Sequence, residues 1–115
     1  MRNGFIVAEL DGKIVGFCRY IDNNSFAKEV QEADCELLAL YVEPSLKYRG
    51  IGTKLFEYVR EEFIKKSKKK MILWCLKDNK PARKFYTKMC GRIIREREIL
   101  IGKNSYLEVR FLYNI

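Results

Sequence analysis

The sequence predicts an α/β fold with a mixed β-sheet and two helices, in the order β-β-β-α-β-α-β-β. Two β-rich hairpins are predicted, one around Asp11-Gly12 and one around residues 102–105. Between them, the runs Cys35–Val42 and Lys70–Leu76 are almost purely apolar, which is typical of buried central strands. Each run precedes a stretch with helical periodicity, and this alternation of strand and helix is typical of α/β proteins.

The first half of the chain supplies the predicted strands before the first helix. Residues 5–10 and Lys13–Ile21 form the opening hairpin, and the polar residues 22–34 predict a surface loop with room for one short helical turn. Glu36 is the only charged residue of the following apolar run, so we expect a strand covered on both faces. Glu43-Pro44-Ser45 ends this strand.

The first helix is predicted after Gly52, because apolar residues then recur at spacings of three and four. Its predicted buried face consists of Leu55, Phe56, Val59 and Phe63.

The second helix is predicted to begin at Pro81 with Asn79 as its N-cap, and to end at Gly91. Residues 92–101 and 106–113 then alternate as a closing hairpin around residues 102–105.

Length and composition narrow the class of protein. The 115 residues predict a single domain covering residues 1–115. No apolar run approaches the roughly 20 residues of a membrane helix, and no secretory signal is visible, so we expect a cytoplasmic protein. The four cysteines form no Cys-x-x-Cys pair and are expected to be reduced core thiols. The absence of histidine disfavours a metal site and excludes Ser-His and Cys-His nucleophiles.

The net charge of +8 includes a lysine cluster at residues 65–70. Such a cluster can bind nucleic acid, but it lies where the first helix should end, and cations are favoured at a helix C-terminus. We therefore expect a solvated helix end.

The segment from Leu46 to Leu55 is a basic turn with two glycines between a strand and a helix. Gly50 and Gly52 allow positive φ and close approach to a ligand, and the first N–H groups of the helix attract an anion. The spacing matches neither a Walker loop nor a dinucleotide fingerprint. What remains is basic-x-x-Gly-x-Gly, read from Lys47, which predicts a phosphate site. The same glycines also suit an ordinary strand-to-helix turn.

A second motif lies in the second predicted helix, where Asn79, Ala82, Phe85, Tyr86 and Lys88 are spaced as Asn-x-x-Ala-x-x-aromatic-Tyr-x-Lys. Together with the glycine turn and the element order, it resembles the GNAT family of N-acetyltransferases. The usual family forms are Gln/Arg-x-x-Gly-x-Gly/Ala and Asn-x-x-Ala-x-x-aromatic-Tyr-x-Lys-x-Gly. The chain departs from them in two ways, with a lysine at position 47 and a glycine one residue late. The resemblance covers about residue 4 to the C-terminus and implies the GNAT-like acyl-CoA N-acyltransferase core.

The resemblance implies acetyl-CoA as cosubstrate. Backbone N–H groups of residues 48–53 would hold its diphosphate, with charge from Lys47 and Arg49. The alternative for Arg49 is a solvated surface charge. The pantetheine arm would lie against residues 40–42, where their strand parts from the next one, and an N–H group there would face the developing oxyanion. The implied cofactor-binding residues are Leu40, Tyr41, Val42, Lys47, Tyr48, Arg49, Gly50, Ile51, Gly52, Thr53, Asn79 and Tyr86.

The resemblance also implies catalytic residues. Tyr86 matches the family's general acid, and a phenol with an ordinary pKa near 10 suits protonation of a thiolate. A half-buried packing aromatic is its structural alternative. Asn79 resembles the residue that hydrogen-bonds the cofactor arm, and it also suits an N-cap.

Glu36 is the candidate base, because a buried carboxylate is costly unless it is paired, solvated or used. It lies 14 positions before Gly50, a spacing similar to that of the catalytic glutamate of histone-type members. There are two alternatives. Water can serve as the base, or Glu36 can have only the structural role of an ion pair with a nearby lysine. In some peptide N-terminal members the base sits on the following strand, at a position corresponding to Trp74, which cannot serve.

The resemblance implies an N-acetyltransferase that moves an acetyl group from acetyl-CoA to a primary amine by direct attack in a ternary complex. The alternatives are a non-catalytic acyl-CoA-binding domain and, less favoured, a basic nucleic-acid-binding protein. The family pattern implies a further strand and one or two helices before the first hairpin. We therefore expect a short form, a fragment, or a chain completed by a partner subunit. An exposed edge strand there predicts a homodimer. The acceptor, a small-molecule or protein amine, is left open.

Overall fold

The computed structural model describes residues 3–23, 33–47 and 49–115. Within these ranges the elements follow the predicted order, which is confirmed. They are β1 (Asn3–Leu10), β2 (Lys13–Ile21), β3 (Cys35–Val42), a 3-10 turn (Pro44–Leu46), α1 (Ile51–Lys65), β4 (Lys70–Leu76), α2 (Lys80–Lys88), β5 (Arg92–Ile101) and β6 (Asn104–Asn114). Tyr48 and most of the predicted loop 22–34 lie outside the described residues.

The described strands form one mixed sheet in the order β1-β2-β3-β4-β6-β5. The pair β3–β4 is parallel, and the other neighbouring pairs are antiparallel. The crossover through α1 makes the parallel pairing possible, because parallel strands need a long connection.

Both hairpins turn through two residues. Asp11 and Gly12 have φ angles of 51° and 78°, the left-handed pair that a tight Asp-Gly turn requires. The second turn was predicted over residues 102–105, but β5 and β6 pair as far as Ile101 and Asn104. Only Gly102 and Lys103 form that turn, since Gly102 takes the positive φ of 63° and the chain reverses at once.

Both helices pack on one face of the sheet. The predicted buried residues of α1 are confirmed, and the rings of Phe56 on α1 and Phe85 on α2 meet at a centroid distance of 6.2 Å. The sheet side of this core includes Cys18, Leu37, Leu73, Phe111 and Tyr113. The opposite face has a smaller buried cluster of Ala33, Ile72 and Leu112.

The prediction that β3 is covered on both faces is right only for its first three residues. Cys35, Glu36 and Leu37 are buried, whereas Tyr41 is 47% exposed. The physical reason is that β3 loses its neighbour β4 after Leu37 and then borders an open cleft.

The end of α2 also differs from the prediction. Cys90, with φ of 76°, and not Gly91, takes the left-handed position after the helix. Cys90 is exposed and Cys75 is half-buried, contrary to the expectation of four core cysteines, whereas Cys18 and Cys35 are fully buried. All four cysteines are free.

The lysine cluster lies where α1 ends, as predicted. Lys65 is in the last turn, Lys66 is the C-cap, and both are exposed. Neither α1 nor α2 is long and apolar enough to cross a membrane.

Candidate active site

The cleft opens where the two parallel strands separate. β3 and β4 pair only through Cys35–Met71, Glu36–Ile72 and Leu37–Leu73, after which the two strands diverge. The resulting cleft has a volume of about 890 Å³ and is bounded by both strands, the start of α1 and one side of α2. This volume is in the range of ligand-binding clefts. It is the gap that the sequence analysis placed between these strands.

Most of the predicted cofactor-binding residues meet in this cleft. Arg49 is exposed and Ile51 packs against the core, and neither is among the described residues that line the cleft. Tyr48 lies outside the described residues. The predicted residues that line the cleft are Leu40, Tyr41, Val42, Lys47, Gly50, Gly52, Thr53, Asn79 and Tyr86.

Two backbone amides of β3 point into the cleft. The N–H of Glu43 donates to the Val15 carbonyl at 2.8 Å, so it points towards β2. N–H groups alternate sides along a regular strand, and β2 and β3 stay in register from residue 39 to residue 42. The Tyr41 amide therefore also faces β2, whereas the amides of Leu40 and Val42 face the gap. A bulge at Leu38 precedes this stretch, because Arg19 pairs with Ala39 and Tyr20 with Leu37.

The N-terminus of α1 has the features that favour an anion. Gly50 is its N-cap, with φ of 83°, and the prediction of a left-handed glycine is confirmed there. Within the part of the chain that the structure describes, no side chain caps this end and no acidic residue lies in the first turn, and Lys47 lines the cleft beside it. The first amides of the helix and the lysine charge therefore point at the same opening.

The prediction of positive φ is wrong for Gly52, because this residue is the second residue of α1 and has a helical backbone. A methyl group there would lie 3.6 Å from both Phe85 and Val42, which is ordinary contact. The fold thus leaves room for a side chain at Gly52. All three residues line the cleft, so such a methyl would occupy cleft space.

Tyr86 places a phenol at the inner wall of the cleft. The residue is 9% exposed, and its ring contacts those of Phe85 and Phe111 at centroid distances of 5.4 and 5.7 Å. Burial raises the pKa of the Tyr86 phenol above its ordinary value, and the nearby thiols of Cys75 and Cys18 raise it further. The phenol therefore keeps its proton at neutral pH and can only donate it.

Asn79 has the capping role that the sequence predicted. Its Oδ1 accepts a hydrogen bond of 3.2 Å from the Ala82 amide at the start of α2. Asn79 also lines the cleft, where the nitrogen of its side-chain amide is a donor for a ligand.

Glu36 lies at the base of the gap without lining it. It is 2% exposed and pairs with Ile72, one register position before β3 and β4 part. Its neighbours Cys35 and Leu37 face the helices, so Glu36 faces the opposite side of the sheet. Its assignment as the base stays a prediction.

The sequence analysis missed a group of cations beside Trp74. The guanidinium carbon of Arg110 lies 3.1 Å from the centroid of the Trp74 ring, and that of Arg97 lies 4.8 Å away. Arg110 is fully buried in the apolar run of residues 109–113. A charged residue in an apolar run was the signal used for Glu36, and it would have found Arg110 as well.

Comparison with models of protein families identifies the family of this chain. Residues 1–91 match the model of the acetyltransferase (GNAT) family. The chain belongs to the GNAT family. Proteins of this family use acetyl-CoA, and the family match agrees with both sequence motifs.

Two curated relatives are described as uncharacterized N-acetyltransferases. The protein from Archaeoglobus fulgidus is 36% identical over 74% of this chain and 57% of its own length. The protein from Methanocaldococcus jannaschii is 34% identical over 87% of this chain and 42% of its own length. The chain thus spans about half the length of these relatives.

A solved structure supports the fold alone. Arabidopsis thaliana NAA60 in complex with acetyl-CoA superimposes with a TM-score of 0.78 at 20% identity, covering 90% of this chain and 66% of that one.

The residues present in this GNAT chain fit acetyl-CoA. The uncapped start of α1 and Lys47 suit a diphosphate, the Leu40 and Val42 amides suit the polar groups of an extended arm, and Gly52 leaves space between them.

Proposed function

We propose that this chain forms the core of an N-acetyltransferase that moves an acetyl group from acetyl-CoA to a primary amine by direct attack in a ternary complex. The observation that carries the proposal is the parting of β3 and β4 between an uncapped helix N-terminus and a buried phenol. These two ends of one cleft suit the two ends of a thioester cosubstrate, its phosphates and its sulfur.

The chain holds the cosubstrate mainly through backbone groups. The first amides of α1, from Ile51 to Thr53, donate to the diphosphate, and Lys47 adds a positive charge. The backbone amides of Leu40 and Val42, which face the gap, and the side-chain amide of Asn79 donate to the pantetheine arm. This set of contacts fixes the acetyl group beside the strands and leaves the far side of the gap for the amine.

The residues around the gap then divide the chemical step between them. The amide of Leu40 or Val42 polarises the thioester carbonyl and stabilises the negative charge that develops on its oxygen. The amine nitrogen forms a bond to the carbonyl carbon, and the bond from that carbon to sulfur breaks. Tyr86 donates its proton to the departing thiolate, while Glu36 or water accepts the proton of the amine.

A homodimer is part of the proposal. β1 is an edge strand of the described sheet, and its outward side chains Phe5 and Val7 are 60% and 44% exposed. An uncovered apolar edge favours pairing with a second copy. Light scattering tests this, and a monomer at high concentration would contradict it.

The cosubstrate site is tested by calorimetry with acetyl-CoA. Gly52→Glu puts a large, negatively charged side chain inside the cleft at the start of α1, at a position where the first added carbon meets only ordinary contacts. We expect the protein to stay folded and acetyl-CoA to bind at least about tenfold more weakly. Glu61→Ala, on the exposed side of the same helix, is the matched control and should bind as the wild type does. Equal affinity of all three proteins would contradict the proposed site.

Turnover is tested separately by release of free coenzyme A with a panel of amines. Release that depends on the amine supports the acetyltransferase. Binding of acetyl-CoA without release from any amine would instead identify a non-catalytic acyl-CoA-binding domain.

A further inference from the structure

The cleft also reaches the face of the sheet opposite the helices. On β3, Leu40 and Val42 pack against the core on the helix side. On β4, Leu73 and Cys75 do the same. Since side chains alternate along a strand, the residues next to these point to the opposite face. Those that also line the cleft are Ala39 and Tyr41 on β3, and Trp74 and Leu76 on β4. We call these four side chains the far mouth.

Tyr41 is the most exposed side chain of the far mouth, and two neighbouring rings hold it in place. Its ring stacks on that of Phe17 at a centroid distance of 5.6 Å and an angle of 25°. The ring of Phe17 in turn stacks on that of Phe5 at 5.6 Å and 21°. Because the Tyr41 amide faces β2, this residue meets a ligand in the cleft through its side chain. The ring is thus a fixed wall of the far mouth, although Tyr41 is still 47% exposed.

The far mouth suits an apolar group better than a charged one. Apart from the hydroxyl of Tyr41 and the indole N–H of Trp74, its side chains carry only carbon and hydrogen. The charged residues among the described lining of the cleft are Lys47 and Lys88, which are both cations. No acidic side chain belongs to that described lining. An ammonium group at the far mouth would therefore lose water without gaining a carboxylate, whereas an apolar group is stabilised by burial.

The far mouth is also the side from which the acceptor approaches if the proposed function is right. The start of α1 and the phenol of Tyr86 lie on the helix side, and the cosubstrate extends between them. Its arm meets the amides of Leu40 and Val42 at the gap. The approach to the acetyl group that is left for the amine runs past Tyr41, so the group that carries the amine lies against this ring.

We propose that Tyr41 determines which amines are accepted, because its ring packs against an apolar group that carries the amine. The substrate class is then a primary monoamine on an aliphatic or aromatic group, and polyamines and aminoglycosides lie outside it. This inference rests on the proposed function and adds the acceptor class to it. The apolar group can belong to a small amine or to the first residue of a peptide.

A matched pair of ligands tests the class without turnover. Pentylamine and putrescine have chains of the same length, and they differ in ending with a methyl or with a second ammonium group. With coenzyme A present, the protein is titrated with each ligand, and the fluorescence of Trp74 reports binding, because it is the only tryptophan of the chain and part of the far mouth. We expect pentylamine to bind at least about tenfold more tightly than putrescine.

Variants of Tyr41 show whether this residue makes the difference. Tyr41→Ala should remove most of the preference by weakening pentylamine alone. Tyr41→Phe should keep the preference, since the ring and not the hydroxyl makes the contact. Tyr58→Ala is the matched control, because Tyr58 is 50% exposed on α1 and lines a different cavity. It should leave both affinities unchanged.

A second pair of ligands identifies the source of the apolar group. Phenethylamine represents a small amine, and the amide of Phe-Ala-Ala represents a peptide whose first residue is apolar. Both present a phenyl group close to a primary amine. Whichever binds more tightly, with an affinity that Tyr41→Ala lowers, identifies the source.

Three results would overturn the assignment of Tyr41. The first is putrescine binding as tightly as pentylamine or more tightly, and the second is the same effect from Tyr41→Ala and Tyr58→Ala. The third is undetectable binding of both pentylamine and phenethylamine. Failure of the proposed function has a different signature, because apolar amines would then bind in the expected order although none of them releases coenzyme A from acetyl-CoA.

Discussion

Tyr86 packs in the core and also presents its phenol to the cleft. Its ring packs against Phe85 and Phe111, while its backbone carbonyl accepts a hydrogen bond of 2.9 Å from the Tyr113 hydroxyl. Tyr86 is thus held both through its ring and through its backbone. A phenol is protonated at neutral pH even at its ordinary pKa near 10, and burial raises the pKa of Tyr86 further, so this side chain is available there as an acid and not as a base.

Tyr86→Phe removes the hydroxyl and keeps the ring contacts. We expect kcat to fall about ten- to a hundredfold, at the low end of general acid catalysis, because a thiolate is already a good leaving group. Binding of acetyl-CoA should change little, since the proposed role of the phenol is to protonate the sulfur as it leaves. Steady-state kinetics and calorimetry on the same preparation separate the two quantities. An unchanged kcat would assign Tyr86 a packing role only.

Tyr113→Phe is the control for this prediction. It removes the hydrogen bond to the Tyr86 carbonyl and should cost about 1 kcal/mol of unfolding free energy. Its effect on kcat should be much smaller than that of Tyr86→Phe, because Tyr113 does not line the cleft.

At the residue scale, the sequence predicted the positions with a local pattern and missed those without one. Gly50, Asn79 and Tyr86 could be selected as candidates, and they do line the cleft, because spacing along one turn or helix is visible in sequence. The stack of Trp74 with Arg97 and Arg110 was missed because it joins three strands, and sequence spacing does not specify which strands become neighbours.

Among the elements, α2 has an unusual C-terminus. The Gly91 amide donates to the Tyr86 carbonyl at 3.1 Å, and the Cys90 amide donates to the Thr87 carbonyl at 2.9 Å. These two bonds form a Schellman motif, whose left-handed position is usually glycine. Cys90 occupies it with φ of 76°, so its side chain is strained there.

Cys90→Gly should therefore stabilise the protein. The left-handed conformation is about 1 kcal/mol less favourable for an ordinary residue than for glycine. We therefore expect the unfolding free energy to rise by about that amount. Urea unfolding in the presence of a reductant measures it. Cys90→Ala is the control, because alanine keeps the strain while it removes the thiol. A gain with alanine as large as that with glycine would contradict the backbone explanation.

The bounds of the central elements could be predicted from sequence, but their exposure could not. The limits of β3 and β4 were predicted correctly, because apolar runs end at clear turn signals. The parting of the two strands after Leu37 and Leu73 was expected only from the family resemblance and has no signal in the residues themselves, since the apolar run of β3 continues to Val42. Residues that border a cleft and residues that fill a core therefore look alike in sequence.

At the scale of the whole molecule, the sheet order puts β6 between β4 and β5. The sequence predicted the β5–β6 hairpin but not which of its strands joins β4. Burial explains the choice afterwards, because residues 109–113 of β6 are all buried whereas β5 alternates and stays largely exposed. A strand with a continuous apolar run is stable at the centre of a sheet, and an alternating charged strand is stable at its edge. That the chain is a single, cytoplasmic domain stays a prediction.

The buried thiols link the stability of the whole fold to alkaline pH. Burial raises the pKa of Cys18 to about 12, and burial, with Asp34 nearby, raises the pKa of Cys35 as well. In the unfolded chain a thiol ionises near pH 8.5. Below that pH both states keep the proton and the full stability is present. Between the unfolded and folded pKa values only the unfolded chain loses the proton, so stability falls as the pH rises.

Raising the pH from 8 to 10 should lower the unfolding free energy by about 2 kcal/mol for each fully buried thiol. Cys18→Ala should therefore be less stable than the wild type at pH 8, because it leaves a cavity, yet lose about 2 kcal/mol less between pH 8 and pH 10. The measurement is urea unfolding with a reductant at several pH values. Cys90→Ala, which removes an exposed thiol, should keep the pH dependence of the wild type. Parallel stability curves for Cys18→Ala and the wild type would show that the Cys18 thiol ionises equally easily in both states.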